Sequence, residues 1–237
     1  MDEQIRRGYA LRGYLIGRAV FGQAEIDAMS AHYMKVRAEG PHPGDFAGVP
    51  GQSAGSDPLT KYPRLINMHE WDTRTRLWMN DERLTSTVSA LMGEQAELLQ
   101  TMVYFKPPGS RGQSFHQDNL YLRVTPVAAA WVALDACDAE NGAMEMVRGS
   151  HLLGLLPCQL ADTETSFTDS ETVVPEFLPR DLIALNPGDV VYFHGLTIHG
   201  SAPNRTADRF RRAFICHYQG RNNWPIVGPP LPRKGAS

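Results

Sequence analysis

The stretch DVVYFHGLTIHGSAPNRTADRFRRAFICHY, Asp189–Tyr218, decides the fold. It opens on a short apolar run, Val190 to Phe193, and closes on RRAFICHY (211–218), where Arg211, Ala213 and Ile215 share one face of a strand and Arg212 the other. Between them Gly195, Gly200, Pro203 and Asn204 turn the chain. Working outward, the same pattern of short apolar or alternating runs recurs in DLIAL (181–185), AMEMV (143–147), AAAWVALD (128–135) and LLQTMVYF (98–105). Such a series predicts an antiparallel β sandwich or barrel. Asn141-Gly142 predicts a tight turn, with Gly149 relieving the backbone a few residues later.

Upstream of residue 98 the period changes. Ile26, Met29, Tyr33 and Val36 recur at steps of three and four between Gln23 and Arg37, as an amphipathic helix requires. A second helix is predicted over Asp81–Leu91, with Leu84, Val88 and Leu91 on one face and Gly93 as its stop. Gly44–Lys61 is rich in Gly, Ser and Pro and predicts a flexible loop. Pro157–Arg180, around TETSFTDSET, predicts a surface excursion beside a site or a disordered segment. The Pro-rich end from Pro225 predicts an extended tail. The expected organisation is one domain over 1–237: a helical N-terminal region, residues 1–97, with the flexible loop 44–61, a β core 98–219 and a tail 220–237.

Composition narrows the partners. With 237 residues, 42% of them hydrophobic, the chain can bury one sizeable core. Lys+Arg 23 against Asp+Glu 26 gives a net charge of -3 without a basic run, which argues for a small-molecule partner and against nucleic acid or a membrane surface. Cys137, Cys158 and Cys216 are scattered without a Cys-x-x-Cys pair and read as reduced, mostly buried thiols. No signal-peptide core or membrane-span length of apolar residues is present in the sequence, and Gly-Ala-Ser at its end is not the address Ser-Lys-Leu, so a cytoplasmic location is expected. Oligomeric state is not legible.

The chemistry gathers at two places. In SFHQDNLYLRV (114–124), His116 and Asp118 are two apart, a spacing that on a strand projects both side chains to one face. An imidazole and a carboxylate, completed by a distant histidine, make a set that holds iron(II) and leaves coordination positions open. His199 is the expected third ligand, because His194 lies an odd offset away and faces the other side of a regular strand. Taken alone, His-x-Asp is a weak signal, equally compatible with a surface pair or a buried hydrogen-bond network.

HQD, ENGAMEMVRGSH (140–151) and NPGDVVYFHGLTIHGSAPNRTADRFRRA (186–213), in that order, resemble the phytanoyl-CoA dioxygenase family of iron(II) and 2-oxoglutarate oxygenases. The similarity spans roughly residues 98 to 219. The resemblance implies a mainly β fold with flanking helices, a double-stranded β-helix or jelly roll with the N-terminal helices packed on one sheet. It implies His116, Asp118 and His199 as iron ligands and catalytic centre, and Arg211 as partner of the distal carboxylate of the cosubstrate 2-oxoglutarate. Met102, Gln117, Trp131, Arg64 and Ser201 match further positions of the cosubstrate pocket, although Met102 and Trp131 also suit core packing and Gln117 points away from the metal on a regular strand. O2 is the implied oxidant, and succinate and CO2 the coproducts of hydroxylating an unactivated C–H bond in a biosynthetic pathway. Asp118 favours oxidation over halogenation, since related halogenases lack this carboxylate. Arg212 is expected as a solvated charge, Arg209 as a turn residue, His151 as a cap and His217 as a buried hydrogen-bonded histidine. Phe46, Tyr121, Arg123 and Trp224 are candidates to face the substrate. Two rivals stand: a cupin-type isomerase or cosubstrate-free dioxygenase, which would have no need of Arg211, and a non-enzymatic binding module, which would have no need of three converging ligands.

Overall fold

The computed structural model describes residues 1–51 and 57–232. In chain order these form α1 (Glu3–Arg12), β1 (Tyr14–Gly17), α2 (Gln23–Glu39), β2 (Leu65–Ile66), α3 (Thr73–Met79), α4 (Glu82–Met92), β3 (Ala96–Tyr104), β4 (Gln113–His116), α5 (Asn119–Leu122), β5 (Val124–Ala133), β6 (Met144–Val147), β7 (Cys158–Leu160), β8 (Ser170–Thr172), β9 (Arg180–Ile183), β10 (Val190–His194), β11 (His199–Ser201) and β12 (Ala213–Pro225). The major sheet runs β1-β10-β5-β12-β3-β2, the minor sheet β4-β11-β6-β9, and β7 and β8 form a separate hairpin. The pairings are antiparallel. The result is a double-stranded β-helix with the N-terminal helices on the outer face of the major sheet.

Strand alternation creates two cores from the same residues. Ala128, Ala130 and Val132 of β5, Phe214, Cys216 and Tyr218 of β12, and Val190 and Tyr192 of β10 face outward, against Ile26, Met29 and Tyr33 of α2 and Leu84 and Val88 of α4. Their neighbours Ala129, Trp131, Ala133, Ala213, Ile215, Val191 and Phe193 face inward, against Met144, Met146 and Ile183 of the minor sheet. Register aligns the inner face: Met102, Ile215, Trp131 and Val191 form one row across β3, β12, β5 and β10. Tyr33 stacks on Phe214 with centroids 5.6 Å apart and sets α2 on the sheet.

Caps define the helices. Asp81 accepts from the Arg83 amide at 2.9 Å and Gly93, at φ 77°, turns α4 off with its amide on Ser89 O. The helices predicted over 23–37 and 81–91 are therefore found with small shifts of their ends, whereas α1 and α3 add to them. The strand β12 runs on to Pro225, past the expected end of the core at 219. Residues 157–180 are the surface excursion beside the site, not a disordered segment: few of them are buried, and Phe167 to Ser170 line the pockets around the triad. They carry the β7–β8 hairpin, and the Phe167 carbonyl and amide bond Val49 N and Gly112 O at 2.8 and 3.0 Å. The loop expected over 44–61 is tied by the Phe46–Arg64 bridge and by Arg111 on Val49 O; its residues 52–56 lie outside the described ones. Cys137 and Cys216 are buried and Cys158 half-buried, all with free thiols. No described helix is long and apolar enough to cross a membrane.

Candidate active site

His116 ends β4 and His199 opens β11, and these two residues are direct cross-strand partners. Their rings lie 4.2 Å apart, centroid to centroid. Each Nδ1 faces a backbone carbonyl, Ser114 O at 2.9 Å and Thr197 O at 3.0 Å. A carbonyl only accepts, so each Nδ1 carries the proton and each Nε2 presents a lone pair inward. The Gln113 amide, donating to His116 Nε2 at 3.0 Å, reads the same lone pair.

Asp118 arrives by a different route from the one predicted. It is not on the strand: β4 stops at His116, and Asp118, in the right-handed helical region, begins the single turn of α5. The turn, rather than the period of a strand, places Oδ1 3.6 Å from His116 Nε2 and 3.7 Å from His199 Nε2. All three ligand atoms lie within 4.8 Å of one another, and all three residues are buried. His217, inward on β12, donates from Nε2 to Asp118 Oδ2 at 3.0 Å, which turns Oδ1 toward the histidines. Burial opposes ionisation of Asp118, but His199, His217 and His116 together hold its carboxyl well below the ordinary range. Burial, then the neighbouring His199, push His116 down to about 3, so its imidazole is neutral. Two imidazole Nε2 atoms and one carboxylate oxygen converging on a point fit a divalent iron site.

Beside this triad lies a positive pocket. Arg211 is buried, its guanidinium 5.2 Å from the Trp131 ring centroid, and among the described residues its side chain makes no hydrogen bond or ion pair; Nε is buried without a partner. Lys106, also buried, donates from Nζ to Ser201 Oγ at 2.8 Å. Burial and the nearby Arg211 push its ammonium well below the ordinary range. Its backbone sits at φ 37°, in the left-handed region, and the Arg211 amide bonds its carbonyl at 3.1 Å, which locks the two cations side by side. Lys106 was not anticipated. Only its place directly after the strand run LLQTMVYF hinted that it could turn inward.

The other expected residues divide. Met102, Trp131, Arg64 and Ser201 line the pocket around the triad and Arg211. Gln117 does not: its Nε2 donates to Gly154 O and Leu196 O at 2.7 and 2.8 Å and its Oε1 accepts from Leu156 N at 2.8 Å, so its amide is spent tying loops together on the far side of the turn. Arg212 is no solvated charge, since Asp135 holds it through Nε and Nη2 at 2.8 and 2.7 Å. Arg209 pairs with Asp138 and Glu140. His194 points to the helix side, its Nδ1 accepting from Leu196 N, and His151 donates to Ala10 O of α1. Phe46 and Tyr121 line an outer cavity, whereas Trp224 is 56% exposed and Arg123 reaches Pro229 O instead.

Residues 9–213 match the family model described as Phytanoyl-CoA dioxygenase. The peroxisomal phytanoyl-CoA dioxygenase of Rattus norvegicus is 26% identical over 226 residues, covering 90% of this chain and 67% of that protein. Phytanoyl-CoA dioxygenase 1 of Oryza sativa subsp. japonica is 31% identical over 143 residues, 58% of this chain and 50% of that protein. The chain thus spans from 41% to 67% of the length of such curated relatives. Among solved structures, the epimerase SnoN in complex with Fe3+, alpha ketoglutarate and nogalamycin RO superposes with a TM-score of 0.76 at 21% identity, over 99% of this chain and 91% of that one. With the family model covering the fold from α1 to the start of β12 and the triad lying inside it, this chain belongs to the phytanoyl-CoA dioxygenase family.

Proposed function

We propose that the chain is an Fe(II)- and 2-oxoglutarate-dependent dioxygenase that hydroxylates an unactivated C–H bond of a small molecule in a biosynthetic pathway, with succinate and CO2 as coproducts. One observation carries the reading: a three-ligand metal set lies in the same pocket as two buried cations, Arg211 and Lys106, that no carboxylate of the described chain answers. A diacid that meets the metal at one end and the cations at the other satisfies both.

His116 and His199 would hold iron through Nε2 and Asp118 through Oδ1, a facial arrangement that leaves positions open. Iron(II), when bound, supplies the activation of O2 that couples loss of CO2 from the cosubstrate to oxidation of the substrate. The protein does the rest. His217 keeps one carboxylate oxygen of Asp118 occupied and so orients the other. Arg211, its guanidinium 5.2 Å from the Trp131 ring centroid, offers a donor fork to the distal carboxylate, with Lys106 and the Ser201 hydroxyl beside it. Met102, Phe193 and Ile215 wall the pocket against water. The carboxylate of Asp118 occupies the place a halide would need, which favours oxygen transfer over halogenation.

The test is an anaerobic titration of the purified protein with iron(II) and 2-oxoglutarate, followed by O2. A weak visible charge-transfer band and then succinate are expected. Asp118→Ala should lose iron, read by metal analysis. Arg211→Ala should keep iron but bind 2-oxoglutarate about 10–100-fold more weakly, since charged hydrogen bonds contribute about 1.5–3 kcal/mol each. Neither band nor succinate in the unmodified protein would sink the proposal.

A further inference from the structure

A cavity of about 320 Å3 opens outward from the triad, at the small end of the range for small-molecule sites. Histidines aside, the charged residues that line it are Arg64, Asp118 and Asp169. Asp118 belongs to the triad. Arg64 also lines the inner pocket with Arg211, which puts its charge at the disposal of the anionic cosubstrate. Asp169 is left over, because a carboxylate repels a dicarboxylate. Half-buried just before β8, Asp169 is also an exception among the aspartates of this chain. Every other described aspartate that is not exposed accepts a hydrogen bond from a side chain or a backbone amide, as Asp57 does from Arg111 at 2.6 Å, Asp135 from Arg212 at 2.7 Å and Asp189 from Arg18 at 2.6 Å. The Asp169 carboxylate has no such partner and no ion pair among the described residues, although Arg64 shares its cavity.

The wall that carries this carboxylate is fastened to the metal site. Tyr121 and Ser170 share a hydrogen bond through their hydroxyls at 3.1 Å, and Tyr121 stands on α5, the turn that Asp118 begins. On the other side the Asp169 carbonyl accepts from Ala161 N at 2.9 Å, and Phe167, two residues earlier, is bonded to Val49 and Gly112. A carboxylate held on a fixed wall loses little freedom when it takes up a cation. Gln100, inward on β3 with Met102, lines the same cavity, and its carboxamide makes no hydrogen bond among the described residues. It adds hydrogen-bonding capacity without a sign, which leaves Asp169 to set the charge that the cavity prefers.

We propose that the substrate is a small amine whose ammonium pairs with Asp169, and that Asp169 is a specificity-determining residue. The carbon chain of the amine then lies along the apolar groups Ile66, Met102 and Leu122, on the walls that also present His116 and Asp118. The inference rests on the oxygenase reading and assigns that site a substrate class.

The test uses the full chain loaded anaerobically with iron(II) and 2-oxoglutarate, and calorimetric binding as the readout. The probes are 1-aminopropane, 1-aminopentane and 1-aminoheptane, each beside the alcohol and the carboxylic acid of the same chain length. At least one amine should bind about ten-fold or more tighter than its alcohol and its acid, the size of effect that one charge-assisted hydrogen bond brings. Asp169→Asn, almost unchanged in shape, should bring that amine within about two-fold of its alcohol. Asp169→Glu, which keeps the charge, should retain part of the preference. Both variants should bind 2-oxoglutarate within about two-fold of the unmodified protein, which also shows that they fold. The inference is overturned if no amine is preferred, if the preference survives Asp169→Asn, or if Asp169→Asn weakens 2-oxoglutarate about ten-fold. Where the charge-transfer band forms but the preference is missing, this inference alone falls; where the band itself is missing, the oxygenase reading falls first.

Discussion

Lys106 shows most clearly what a single residue reveals when its surroundings are known. A buried ammonium whose side chain meets only the Ser201 hydroxyl and whose neighbour is another cation destabilises the fold, and such a group is retained where a ligand completes it. The two consequences have opposite signs. Lys106→Met, close in volume and apolar, should stabilise the ligand-free protein by about 1 kcal/mol in chemical denaturation, because it removes a buried charge. The same change should weaken 2-oxoglutarate about ten-fold in calorimetry. Loss of stability together with unchanged cosubstrate affinity would mark Lys106 as purely structural. His116, Asp118 and His199 were legible as residue types in order, and so was Arg211. Lys106 was not, because a lysine after a strand reads as solvated until the φ of its own backbone turns it inward. Gln117 matched the cosubstrate pocket only by resemblance; the strand period already aimed it away from the metal, and its amide is indeed tied to Gly154, Leu196 and Leu156.

At the scale of elements, the long periodic segments were legible and the short ones were not. The helix over 23–37 and the strands at 98–105, 128–135 and 211–218 announce themselves by apolar period. The short helix α3 is instead held by one capping carboxylate: Asp72 accepts from Thr75 N at 2.8 Å, Thr75 Oγ1 at 2.6 Å and His32 Nε2 at 2.9 Å. Burial opposes its ionisation, yet the Thr75 hydroxyl, His32 and the Thr75 amide hold its carboxyl below the ordinary 3.8. A carboxylate whose folded pKa is depressed contributes stability above its unfolded pKa and loses it as pH falls through the folded value. Asp72→Ala should therefore cost about 0.5–2 kcal/mol at neutral pH. The gap in melting temperature between the two proteins should narrow as pH falls below about 4. A gap that stays constant or widens with acid contradicts this role. The β7–β8 hairpin escaped the sequence for a comparable reason: it pairs only three residues a side, and its polar composition resembles a loop until Phe167 is seen locked against Val49 and Gly112.

For the whole molecule, the site couples both sheets, because His217, Arg211, Met102 and Trp131 come from the major sheet and its approaches while His116 and His199 come from the minor one. Ligand binding should consequently stabilise the fold as a unit. At one hundred times its Kd, 2-oxoglutarate adds about 2.7 kcal/mol to the iron-loaded protein, roughly 5–10 °C in Tm for a chain of this size. The same concentration should add only about 0.4–1.4 kcal/mol to Arg211→Ala, as a Kd weakened about 10–100-fold requires; an equal rise would detach the buried cations from the cosubstrate. The sequence by itself determined the sheet class and the two packed helices through the period of its apolar residues, and the ordered triad and the arginine through the resemblance of its ordered motifs to the family. Only the tertiary structure decided how Asp118 reaches the metal point, that Lys106 joins Arg211, and that Arg64 and Asp169 face one cavity. Those facts depend on register between strands 40 or more residues apart, on the turn after β4 and on burial, and each is a property of long-range packing that no local pattern encodes.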